Sequence, residues 1–360
     1  MAEQKIGVLP FCSVLFLSVM SGVLLYIADN PAEPGGTDAV LRPLVFLAVN
    51  LAAALPLFRL KRAVGDRSVG EALRARSPFA ARLIAAVYAL VYTAAALRTA
   101  VRFELFAGSE MFPDKRMTYL AVLLAAVCAV LGGADFTATA RASFPMAVGV
   151  VLAAAGVGFL LVPQVDLLNL TPPFENGVGR FLRDSLSASL FAAEAGTLPF
   201  FFGQVKGNLK RGYVVGAVLV TVLFAASSFV VFGTLGPFAE SRLFPTCTAV
   251  TLAKIGLFKR LDSVETAVWV SCVLVKMTLF FTVASRAAAQ VFRGLPRRAA
   301  ALLAGAAVAL CVLLIGGEVR RAALFSSLAF TATTYLLPAF ILPLASLLCL
   351  KRRGTNGSFD

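Results

Sequence analysis

Histidine is absent from this 360-residue chain. Its absence removes the commonest ligand of a protein zinc site and the most frequent general base of enzyme catalysis. The six cysteines, at 12, 128, 247, 272, 311 and 349, form no CxxC pair. Most fall within apolar runs, where cysteine reads as a small packing residue. No GxSxG, no Walker loop and no DxDxDG occurs, so the sequence carries no catalytic, metal or cofactor motif. Charge is also scarce. Asp, Glu, Lys and Arg make up 14% of the chain, against about 25% in a soluble domain. So little polar material cannot cover a water-facing surface, and 59% of the residues are hydrophobic, with mean hydropathy +0.86. The composition defines an all-α polytopic membrane protein and excludes a soluble enzyme.

Ten transmembrane helices are expected, near 8–28, 40–58, 83–103, 117–132, 144–163, 185–203, 213–234, 264–285, 299–316 and 323–350. Each has roughly the 20 residues needed to cross ~30 Å of hydrocarbon. The runs lack the alternation of barrel strands, which leaves helices as the spanning form. With the N-terminus inside, nineteen basic residues fall on the inner side and eleven on the outer, whereas acids number five inside and thirteen outside. This bias places both termini in the cytoplasm. The net charge of +14 is then explained by topology and by anionic lipid headgroups, and argues for no nucleic acid.

The chain reads as one transmembrane domain, 1–360, with five-helix halves at 1–163 and 185–350. An outer loop with a short helix is expected at 236–263 and a cytoplasmic tail at 351–360. An odd span count per half is the topology of a 5+5 inverted repeat. The first span of each half carries small residues at mid-depth, Ser21-Gly22 in one and Ala195-Gly196-Thr197 followed by Pro199 in the other. Glycine lowers helix stability and proline removes a backbone donor, so helices one and six are expected to be broken there. Broken helices build binding sites in secondary transporters, which makes Ser21, Gly22, Glu194, Ala195, Gly196 and Thr197 the candidate ligand residues. The loop between spans two and three, "RLKRAVGDRSVGEALRARSPFAAR", has room for a short amphipathic helix.

Lys276 and Glu194 lie near the middle of spans eight and six. An ionisable group at the bilayer centre costs at least about 2.5–3.5 kcal/mol, so such groups face the bundle interior and mark pathways. Their matching depth suggests an ion pair, with a static helix clamp as the competing reading. Arg98 and Arg102 share one face of span three near its outer end, where long cations snorkel or join a coupling network. Asn50 in span two reads as an interhelical hydrogen bond.

The stretch "FPTCTAVTLAKIGLFKRLDSVETAVWVSCVLVKMTLFF" resembles the signature of the spore germination permeases, the B subunits of germinant receptors. The matching positions are Phe244, Pro245, Phe258, Arg260, Leu261, Asp262, Trp269 (the single tryptophan) and Lys276. "RTAVRFELF", "TARASFPMAVGVVL", "DLLNLTPPFENGVGRFL" and "SLFAAEAGTLPFF" are similar to other parts of that family, so the likeness covers most of the chain. The departure is in span one, which keeps only Ser21-Gly22 of the polar-glycine pattern. The resemblance implies a fold within the amino acid–polyamine–organocation transporter superfamily. It also implies a subunit in the spore inner membrane that senses a nutrient such as an amino acid and works with receptor A and C subunits. An amino acid/proton symporter of the same fold is the alternative.

Overall fold

The computed structural model describes residues 5–26, 36–65, 67–111, 117–170, 172–253, 262–292, 294–315, 324–325 and 327–351. The helices are α1 (Val8–Tyr26), α2 (Gly36–Val64), α3 (Val69–Arg76), α4 (Pro78–Phe106), α5 (Thr118–Gly133) and α6 (Phe136–Leu161). They continue with α7 (Val178–Ser189), α8 (Leu209–Leu235), α9 (Pro245–Leu252), α10 (Asp262–Val291), α11 (Arg297–Ile315) and α12 (Leu328–Lys351). Seven helices among the described residues are long and apolar enough to cross a membrane, and Val8–Val23 and Thr118–Gly133 are shorter apolar helices. With the interrupted segment at 178–200, this is consistent with the ten spans expected from the sequence.

Local chemistry sets many of the boundaries. Ser68 and Glu71 form a reciprocal capping box that starts α3, satisfying two backbone donors the helix cannot satisfy itself. This is the short helix for which the second loop has room. Its Val69 and Leu73 are buried, so its apolar side packs on protein. Ser77 caps α4, with Pro78 in the first turn, where a missing N–H costs nothing. Asp135 caps α6 by accepting from Thr137 N at 3.0 Å.

The interrupted sixth span explains itself. α7 stops at Ser189, Ala192 leaves helical geometry, and Ala193–Phe200 winds as a 3-10 helix containing Gly196 and Pro199. The tighter turn brings Gly196 against α4 and α12. A methyl group there would lie 2.6 Å from both Tyr92 Oη and Pro338 Cβ. Opposite it, α12 widens into a π-helical turn at Leu337–Ile341 around Pro338, a residue that cannot donate to the helix ladder. Tyr88 donates to the Pro338 carbonyl at 3.1 Å. After the 3-10 helix, Val205–Lys206 pairs in parallel with Ile6–Gly7 in a two-residue sheet, tying this segment to the start of α1.

The expected break in span one needs correcting. α1 runs without interruption through Ser21-Gly22. Gly22 serves close approach instead: a side chain there would meet the Phe191 ring at 2.6 Å. A helix tolerates one glycine when the missing side chain is exchanged for packing.

α10 is the axis of the bundle. In its apolar window 72% of residues are buried within the protein, against 17% for α6. It packs on α1, α4, α5 and α11, and carries the buried Trp269, Phe280 and Phe281. Lys276, on the packed side of this helix, is thereby left only 8% exposed. α6 instead presents Leu152 and Phe159 outward.

Hydrogen bonding by Thr137 N–H holds the exposed Asp135 carboxyl below the usual carboxylate range. A depressed folded-state value stabilises above the unfolded value and is lost as pH falls through the carboxylate range. Asp135→Ala is expected to cost about 0.5–1 kcal/mol at neutral pH. Thermal unfolding in detergent should show that difference shrink on acidification.

Candidate functional site

Glu194 sits in the first turn of the 3-10 helix and Lys276 in the middle of α10. Lys276 Nζ lies 2.9 Å from Glu194 Oε1. The same oxygen accepts from Ser18 Oγ of α1 at 3.0 Å. Glu194 is 2% exposed and Lys276 8%, so the pair is desolvated and depends on its hydrogen bonds. Lys276 Nζ also lies 5.7 Å from the Phe280 ring centroid, within cation–π range. Glu194 Oε2 is buried and finds no hydrogen-bond partner among the described residues. A buried carboxylate oxygen left open in this way is uncommon and marks a functional or strained position.

A small cavity adjoins the pair. It measures about 30 Å³, and its lining includes Ser21, Gly22, Arg98, Arg102, Phe191 and Lys276. Arg98 and Arg102 therefore point inward. Of the two readings open for them, snorkelling to the interface is set aside: α4 lies against the central α10, so this face has protein before it. The lining includes three cations and no carboxylate among the described residues. The Lys276 charge is offset by Glu194 at 2.9 Å, so the cavity presents guanidinium groups beside an ion pair.

The remaining expected residues separate into two sets. Ala195, Gly196 and Thr197 are buried but do not line the cavity. Gly196 faces Tyr92 and Pro338, and Thr197 Oγ1 donates to the Glu194 carbonyl at 2.6 Å. The 3-10 winding turns these residues into packing contacts. Phe244, Pro245 and Trp269 gather at one end of the site. The Trp269 ring centroid lies 4.0 Å from that of Phe106 and 5.8 Å from that of Phe103, and Phe244 packs edge-on to Phe106 at 5.2 Å. Trp269 Nε1 donates to the Ser21 carbonyl at 3.2 Å, joining α10 to α1. Pro245 occupies the first turn of α9. Phe258, Arg260 and Leu261 and the side chain of Asp262 lie outside the described residues.

Sequence reasoning missed Ser18, Tyr92 and Phe191. Ser18 was findable, since it is one turn before Ser21 and Gly22 on the same helix. Tyr92 donates to the Ala193 carbonyl at 3.0 Å, holding open the junction before Glu194. No sequence pattern announces that contact. Asn50 receives hydroxyl donors at 3.5 Å from Tyr335 and Tyr213, on two other helices.

The interrupted helix, the apolar bundle and the central charges are those of a multi-pass membrane protein. Its fold is similar to those of two solved transporters. One is MhsT in complex with L-phenylalanine (TM-score 0.66, 13% identity, 97% of this chain and 99% of that one). The other is a substrate-bound, outward-open Na+-coupled sialic acid symporter (TM-score 0.63, 12% identity, 94% and 80%). The chain belongs to the spore germination protein family, Spore_permease, whose family model matches residues 77–317. It is 28% identical over 230 residues to YfkT of Bacillus subtilis (strain 168), named as a spore germination protein. That alignment covers 61% of this chain and spans only 62% of the length of the relative.

Breaking the pair by Lys276→Met is expected to cost about 3–5 kcal/mol, because it strands a buried carboxylate. Glu194→Gln should be damaging for the converse reason. The double variant Lys276→Met/Glu194→Gln should recover much of the loss. Unfolding temperatures of the four proteins in one detergent close the cycle, and additive losses would mean the two groups are uncoupled.

Proposed function

We propose that this protein is the nutrient-sensing membrane subunit of a germinant receptor, and that it recognises an amino acid beside the Glu194–Lys276 pair. The observation that carries the reading is the cationic cavity at the interrupted helix, lined by Ser21, Gly22, Arg98, Arg102 and Lys276. Guanidinium and ammonium groups there suit a carboxylate, and the open Oε2 of Glu194 suits an ammonium group. A zwitterion offers both. Membership of the spore germination family and the fold of a protein solved with L-phenylalanine support the same class of ligand.

A volume of about 30 Å³ holds roughly one water molecule. An amino acid therefore enters only as the helices around it separate. Binding would shift the balance between two packings of α1, α10 and the 3-10 helix, which is the behaviour a sensor requires. In this reading the chain is one transmembrane unit, with halves at 1–163 and 185–350. It lies in the spore inner membrane with both termini cytoplasmic, contacts anionic lipid, and assembles with receptor A and C subunits. The second reading is an amino acid/proton symporter, with the open carboxylate oxygen of Glu194 as the proton acceptor.

Trp269 supplies an intrinsic probe, because it is the only tryptophan and bonds to Ser21, a cavity residue. Titrating the purified protein with a panel of amino acids should change its fluorescence for at least one of them. Arg98→Gln should weaken that ligand about tenfold, the loss of one charged hydrogen bond. A flat response to every amino acid tried would reject the reading. Proton-dependent uptake of the same ligand by proteoliposomes would replace the sensor with the symporter.

A further inference from the structure

A second cavity, of about 330 Å³, lies between α6 and α8, with α1, α9 and α10 completing its wall. This is within the range of small-molecule sites, roughly 300–1,000 Å³. It shares no lining residue with the central cavity. Small residues make the space: Ala153, Ala154 and Gly158 line it from α6 and Ala226 from α8. A side chain added at Gly158 would meet nothing within 4 Å. The deep wall is Met20 of α1, Val231 of α8, and Ala249 and Val250 of α9, all buried. Phe159, Val162 and Val264 also line the cavity and are exposed. The space therefore runs from the flank of the bundle to its core.

The lining is almost wholly apolar. Ser227, Thr246 and Glu265 are its only polar side chains among the described residues. Thr246 and Glu265 are buried at the end formed by α9 and α10, and both are engaged with other groups of the protein. Neither lysine nor arginine lines the space. A cavity of this kind stays dry and takes apolar matter in place of water. The position of the mouth says where that matter comes from. Of the seven long apolar helices α6 is the least buried, and it turns Leu152 and Phe159 outward. The mouth is thus continuous with a face that a spanning helix gives to hydrocarbon.

We propose that this cavity seats a hydrocarbon chain of a membrane lipid, inserted from the flank between α6 and α8. Within a bilayer the chain gains nothing by leaving water, so packing drives its entry. The walls of an unfilled void lack contact atoms on one side, and a chain restores those contacts. The seated chain touches Met20 of α1 and Val268 of α10. These are the sequence neighbours of Ser21 and Trp269, whose hydrogen bond joins the two helices. Occupancy therefore braces the α1–α10 junction from the lipid side. The proposal rests on this cavity alone and holds whatever the central site binds.

The test uses the full-length protein in phosphatidylcholine nanodiscs, with either ordinary or dibrominated chains. Bromine quenches tryptophan at short range, and Trp269, the only one in the chain, is buried next to Val268. Brominated chains are expected to quench its fluorescence. Gly158→Leu and Ala154→Leu each put a side chain into the cavity and should remove most of that quenching. Leu152→Phe, on the exposed flank of α6 but outside the lining, should leave it unchanged. Trp269 emission in ordinary chains checks that every variant keeps its fold. The proposal is overturned if the parent is not quenched. In that case, two copies per nanodisc would give the groove to a second chain. It is equally overturned if both filled variants are quenched as strongly as the parent, or if Leu152→Phe lowers quenching as much as they do. Either result would leave only the surrounding lipid as the quencher.

Discussion

A lysine and a glutamate that meet in a low-dielectric interior set the terms for the rest of this bundle. The pair spans 2.9 Å and is nearly excluded from solvent. Its attraction outweighs desolvation only if further hydrogen bonds and shielding are supplied. Ser18 supplies one bond from α1. α10 supplies shielding by taking the central position, walled by α1, α4, α5 and α11. The interrupted sixth span supplies the geometry, because a regular helix would not present Glu194 beside a tight 3-10 turn. The packing of five elements thus follows from where two charges had to be placed.

The interruption has its own supports. Tyr92 satisfies the Ala193 carbonyl and Tyr88 satisfies the Pro338 carbonyl of the π-helical turn. Backbone groups freed by a broken helix inside a membrane need such partners. The rings of Tyr88 and Tyr92 lie parallel, 6.2 Å apart. α4 therefore stabilises both irregular segments with one face. That face continues to Arg98 and Arg102, so one helix holds the junction together and charges the cavity beside it.

Much of the architecture was legible in the chain. Apolar runs of spanning length, separated by capping residues and basic turns, place the helices, because the bilayer admits little else. Glu194 and Lys276 stood out because a charge in such a run is costly. Their distance was not legible, since depth along two helices does not determine rotation about them. The break at Ser21-Gly22 was misjudged for a related reason. Small residues serve equally to interrupt a helix and to admit a neighbour, and only the position of Phe191 shows that Gly22 does the second. Ala195, Gly196 and Thr197 lie in a real interruption, but its 3-10 winding turns them into packing residues.

The amino-acid sequence by itself determined that this is a helical membrane protein of the spore germination family, with two opposite charges at mid-depth. Composition and the length of the apolar runs are sufficient for the helical membrane class, because they control partition into lipid and the hydrogen bonding of each segment; the family rests on motif resemblance and on the family match over residues 77–317. Tertiary structure alone decided which face of each helix looks inward. It brought Ser18 to Glu194 and turned Arg98 and Arg102 into a cavity. Those are contacts between residues far apart in sequence, and their energies depend on relative rotation and depth, which no single segment encodes.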